Sequence, residues 1–94
     1  MKNKKYFIGL DVHKKKTTYV VLDKLGNILL EGETATLYSD LFERLKTYLK
    51  SSMIGLEACT SYYTLYQNFL KNNYSIKVAN TIQMRQLIAK KRSS

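Results

Sequence analysis

The chain has 94 residues, 45% apolar and 24% charged, with no proline, four glycines and a single cysteine, Cys59. Such a length holds one small core, and the composition excludes collagen-like, low-complexity and disordered classes. Sixteen basic residues against seven acidic ones give a formal charge of +9, which points to a polyanion partner, most often a nucleic acid.

The elements follow in chain order. Tyr6–Asp11 is a short apolar run ending in an acid and reads as a buried strand. Lys14, Lys15 and Lys16 read as a turn, and the β-branched run Thr17–Asp23 as a second strand. Lys24-Leu25-Gly26-Asn27 supplies turn chemistry, with Gly26 free to take a positive φ. Ile28–Glu33 reads as a third strand, completing an antiparallel meander. The period then changes to that of a helix. Ser39 or Asp40 is the expected cap, and Leu41, Phe42, Leu45, Tyr48 and Leu49 form one apolar face. Met53–Glu57 is another apolar strand ending in an acid. Ser61 is the expected cap of a helix whose apolar face carries Tyr62, Leu65, Tyr66, Phe69 and Leu70. Asn72-Asn73 reads as a turn, Ser75–Ala79 as a fifth strand, and Thr81 to about Lys91 as a last helix.

The order β-β-β-α-β-α-β-α predicts a mixed five-stranded sheet, order 3-2-1-4-5, in which the strands after the hairpins are parallel. No apolar run approaches the ~20 residues of a membrane span, and the basic N-terminus is followed by no signal-peptide core. Cys59 cannot form an internal disulfide, which points to a cytoplasmic home.

The charge is uneven along the chain. Ten of the sixteen basic residues lie before Thr17 or after Met84, whereas the segment between carries six basic and six acidic residues. Lys14, Lys15, Lys16, Arg85, Lys90, Lys91 and Arg92 are therefore the expected phosphate contacts.

Two acids mark the candidate site. Asp11 ends the first strand and Glu57 the fourth, and each follows an Ile-Gly-Leu triplet. In a 3-2-1-4-5 sheet those strands are parallel neighbours, so both carboxylates fall at the strand edge where α/β sheets bind ligands. Two carboxylates held there can share a hard cation such as Mg²⁺ for phosphodiester chemistry. An isolated acid at a strand end is more commonly a turn or cap residue.

Phe7-Ile8-Gly9-Leu10-Asp11-Val12-His13-Lys14-Lys15, then Gly55-Leu56-Glu57-Ala58 with Tyr62 or Tyr63 after it, then Val78-Ala79-Asn80 with Met84-Arg85, resemble the start of the IS110/IS1111-type transposases over essentially the whole chain. The resemblance implies a RuvC-like domain of the ribonuclease H fold. Such a domain carries an Asp-Glu-Asp-Asp tetrad that binds Mg²⁺ and acts on DNA strands and branched junctions. Asp11 matches its first member and Glu57 its second. The other two normally lie in a Lys-Thr-Asp-x-x-Asp-Ala segment beyond a basic stretch like Lys90–Arg92, which makes this chain an N-terminal piece, inactive alone. The resemblance further implies insertion-sequence DNA and a structured guide RNA as partners, and with them a place on the nucleoid. A last helix missing from such a piece would leave part of one sheet face uncovered, which predicts a homo-oligomer or a partner helix over the gap.

The remaining residues carry weaker expectations. His13 reads as a surface turn histidine, Cys59 as a small buried residue, and Tyr63 as the exposed member of its tyrosine group. The rival functions are a non-catalytic nucleic-acid-binding module on the same fold, and an actin-like ATPase or sugar-kinase lobe. Lobes of the latter kind place Gly and Ser or Thr directly after the first Asp, where this chain has Val12-His13-Lys14-Lys15.

Overall fold

The computed structural model describes residues 4–57 and 62–79. Its strands are β1 (Tyr6–Val12), β2 (Lys16–Asp23), β3 (Ile28–Ala35), β4 (Ser52–Glu57) and β5 (Ser75–Ala79), and its helices are α1 (Tyr38–Leu45) and α2 (Tyr63–Lys71). A single 3-10 turn, Leu49–Ser51, precedes β4. The strands form one sheet in the order β3-β2-β1-β4-β5, as the sequence predicts. β1 pairs antiparallel with β2 and parallel with β4; β2–β3 is antiparallel and β4–β5 parallel. The expected last helix, its residues Arg85, Lys90, Lys91 and Arg92, the Ser61 cap and Cys59 lie outside the described residues.

Alternation along the strands decides which face is which. Ile8, Leu10 and Val12 of β1 and Ile54 and Leu56 of β4 join Leu41 and Leu45 of α1 and Leu65 and Phe69 of α2 in one buried cluster. Both described helices therefore cover the same face. The alternate residues, among them Val20 and Leu22, point to the other face, and these two are also buried.

Three helix expectations need correction. α1 begins at Tyr38 with Leu37 in the cap position and no side-chain cap bond, so neither Ser39 nor Asp40 caps it. Leu37 N–H bonds to Ala35 O, and the chain turns into the helix straight from β3. Tyr48 and Leu49 lie beyond the helix: Leu49 enters the core from the 3-10 turn, and Tyr48 packs edge-on against Tyr6 at 5.0 Å. On α2, Leu65 and Phe69 are buried but Leu70 is 45% exposed, because its position falls off the stripe that meets the sheet. Among the described residues no helix is long and apolar enough to cross a membrane.

Two close approaches fix the β2–β3 hairpin. Gly26 takes φ 89° in the turn, where Asp23 Oδ1 accepts the Leu25 and Asn27 amides at 2.9 and 2.8 Å. Gly32 faces Tyr19 across the ladder, and a Cβ on it would stand 2.5 Å from the Tyr19 hydroxyl.

Candidate functional site

The register of β1 against β4 ends with Gly9 opposite Gly55 and Leu10 opposite Leu56. Asp11 and Glu57 are each one residue further on, so they stand side by side on strands about 4.8 Å apart. Leu10 and Leu56 enter the helix-covered core, so both acids project from the opposite face. The Asp11 side chain is 39% exposed, while Glu57 is buried at 8%.

The ladder extends this row. Asp11 faces Thr18 of β2, and Thr18 faces Glu33 of β3. Glu33, Thr18, Asp11 and Glu57 thus line one level of one face. Thr18 and Glu33 escape the sequence reading because only the observed register places them level with Asp11.

The three lysines of the β1–β2 hairpin part company. Lys16 alternates with Thr18 and so shares the acid face, where its Nζ lies 3.8 Å from Glu33 Oε1. Lys14 and Lys15 are exposed in the turn itself. Lys15 and Lys16 line one side of a cavity of about 310 Å³ that also touches Glu33, Thr34 and Ala35. His13 is exposed, as its turn position predicts, yet its Nε2 approaches Asp11 Oδ1 to 3.3 Å.

One residue holds this hairpin in place. The Thr36 hydroxyl donates to His13 O at 2.6 Å, and the Thr36 amide donates to Lys15 O at 3.0 Å. The hydroxyl has a single proton and it is spent on His13, so in the 2.8 Å contact between the two hydroxyls Thr17 is the donor. Thr17 is fully buried and this bond satisfies its hydroxyl. Within the hairpin His13 N–H bonds to Lys16 O at 3.0 Å. The lysine turn is therefore a fixed platform beside Asp11.

Among the described residues no group of three or more His, Cys, Asp or Glu side chains is gathered for a metal ion. The candidate donors are the Asp11 and Glu57 carboxylates. Mg²⁺ commonly takes one or two carboxylates and completes its shell with water and substrate phosphates, so the pair fits such an ion. Tyr63, at the start of α2, is 59% exposed and its hydroxyl accepts a bond from Gln67 at 2.7 Å.

No family model and no curated protein matches the sequence. Solved structures match the fold. A Bacteroides thetaiotaomicron protein with an actin-like ATPase fold and unknown function aligns at a TM-score of 0.62 and 17% identity, over 93% of this chain and 38% of that one. Archaeoglobus fulgidus Pelota aligns at 0.51 and 12% identity, over 94% of this chain and 32% of that one. A ROK family glucokinase from Streptomyces griseus aligns at 0.49 and 16% identity, over 80% of this chain and 33% of that one. The chain thus spans about a third of each of these structures. At such identities the likeness is one of fold: a mixed α/β sheet of the kind found in actin-like ATPases.

Proposed function

We propose that Asp11 and Glu57 are the first two acids of a Mg²⁺-dependent phosphodiester site, in a RuvC-like catalytic domain of a DNA transposase or recombinase. The observation that carries this is their placement level with one another on neighbouring parallel strands, on the face that also bears Lys16. A bound divalent ion would supply charge to activate a water or hydroxyl and to stabilise the leaving oxygen. The chain's own part is to hold two carboxylates on rigid strands and to set a cationic, clamped hairpin beside them. Lys14 and Lys15 at the tip and Lys16 on the face meet the backbone phosphates of the DNA. His13, in contact with Asp11, orients that carboxylate.

The test is cleavage of a branched DNA in Mg²⁺ by protein carrying its full acidic set, with and without Asp11→Asn. Loss of cleavage with retained DNA binding is expected. Undiminished cleavage would leave this domain a binding role alone.

The fold comparison favours a second reading, an actin-like ATPase or sugar-kinase lobe, because the solved structure aligned at 0.62 has an actin-like ATPase fold. It speaks for this reading more than for the first. The hairpin speaks against it: the turn after Asp11 contains no glycine, and the His13 amide is already bonded to Lys16 O. Close backbone approach to nucleotide phosphates needs small residues and free amides there. Binding of Mg²⁺-ATP that perturbs the amides of residues 12–16 would establish the second reading over the first.

A further inference from the structure

We propose that the sheet edge opposite the acids is a second contact for nucleic-acid backbone phosphates. This rests on the nucleic-acid reading above for the identity of the ligand, and on separate residues for the site.

Folding brings lysines of the basic N-terminal segment together with lysines of the middle segment that looks neutral in sequence. Strands β1, β4 and β5 all begin at the edge opposite Asp11 and Glu57, and both α1 and α2 end there. Lys5 immediately precedes β1, and its amide donates to Ser51 O at 2.7 Å. Lys50 lies in the 3-10 turn before β4, and Lys71 is the last residue of α2. Lys4 is half-buried, and its Nζ donates to Lys50 O at 3.3 Å. Lys4 and Lys50 line a cavity of about 470 Å³ with Leu49, Asn72, Asn73 and Tyr74. It offers two ammonium groups and two side-chain amides.

The acids do not neutralise this edge. All seven acids of the chain are described, and only Asp23 ends a strand here. Its carboxylate keeps its charge, bonded to the Leu25 and Asn27 amides and the Asn27 side chain, but one acid does not balance Lys4, Lys5, Lys50 and Lys71. Glu43 of α1 is paired with Lys46 at 3.1 Å. Among the described residues Lys4, Lys5, Lys50 and Lys71 are in no ion pair. Such a concentration of one sign attracts a polyanion.

β1 spans seven residues, so at roughly 3.3 Å per residue the two edges are roughly 20 Å apart. A phosphate held at this edge is therefore remote from the acids. It anchors a separate stretch of nucleic acid and leaves the reacting strand to Asp11 and Glu57.

The test is the salt dependence of duplex DNA binding, read by fluorescence anisotropy of a labelled duplex. Lys4→Ala, Lys50→Ala and Lys71→Ala combined should flatten the slope of log K against log salt by about 2 to 3 units. Lys50→Glu with Lys71→Glu alters only exposed side chains, keeps the Lys4 bond to the Lys50 carbonyl, and should weaken binding further. Circular dichroism confirms that both variants are folded. A slope and affinity unchanged in both would overturn the proposal. Inorganic phosphate is the second probe. Displacement of the duplex by millimolar phosphate at constant ionic strength, lost in the triple variant, would reassign the edge to a small anion and overturn the backbone contact. Asp11→Asn leaves the slope as it is under the proposal, so a failure of the catalytic reading shows in cleavage and not in this measurement.

Discussion

Leu10 of β1 lies directly opposite Leu56 of β4, and both are fully buried under the two helices. Because side chains alternate, this one pair sends the next residue on each strand, Asp11 and Glu57, to the opposite face at the same level. A slip of one residue in this register would put one acid into the apolar core. The position of the candidate site is thus enforced by core packing and not by the acids themselves.

The Gly32–Tyr19 approach gives the first prediction. A methyl group at Gly32 would collide with a ring that is 2% exposed and whose hydroxyl accepts a bond from Arg44 at 3.1 Å. Gly32→Ala should destabilise the fold by about 1–3 kcal/mol, the usual range for overpacking, and Gly32→Val by more. Urea unfolding measures both.

The threonine clamp gives the second. Thr36→Val removes the donor to His13 O and leaves the buried Thr17 hydroxyl without its acceptor, at a cost of about 1–3 kcal/mol. Hydrogen exchange at the His13 amide should quicken as the turn loosens. Pairing it with Thr17→Val should recover part of the stability, since both polar ends are then gone.

How much of this was legible in sequence differs from element to element. The strands were, because Ile8-Gly9-Leu10-Asp11 and Ile54-Gly55-Leu56-Glu57 are bounded apolar runs that only a sheet explains. The 3-2-1-4-5 order followed from two hairpins and the crossovers after them. The start of α1 was not legible, because Ser39 and Asp40 look like caps while the chain enters the helix from a bond between Leu37 and Ala35. Thr36 was equally invisible: its partner His13 is 23 positions away, and nothing local in either residue announces the contact. Thr18 and Glu33 join the acid row only through strand register.

Acid titration gives the third prediction. Asp23 is held below the ordinary carboxylate value by its bonds from the Asn27 amide and side chain, then by the Leu25 and Gly26 amides. A depressed native pKa stabilises the folded state above the unfolded value of about 3.8, and that contribution is lost as pH falls through the native value. Asp23→Asn should therefore flatten the acid limb of stability below about pH 4 and leave the pH dependence above neutrality unchanged, as thermal melts across pH would show.

Lys16 gives the fourth. It shares the acid face, and its nearest acid is Glu33 at 3.8 Å. Lys16→Ala should flatten the salt slope of DNA binding by about one unit, uniformly across sequences. Glu33→Gln should strengthen binding, because it frees the lysine and removes a negative charge from the row.

Under the proposed function, Asp11 and Glu57 act as one site for a divalent cation. Mn²⁺ titration followed by amide line broadening in NMR tests it without depending on catalysis. Early broadening is expected to be confined to the ends of β1 and β4, around residues 10–12 and 56–57, and to be lost in both Asp11→Asn and Glu57→Gln. Broadening centred elsewhere, or persisting unchanged in the two variants, would contradict it.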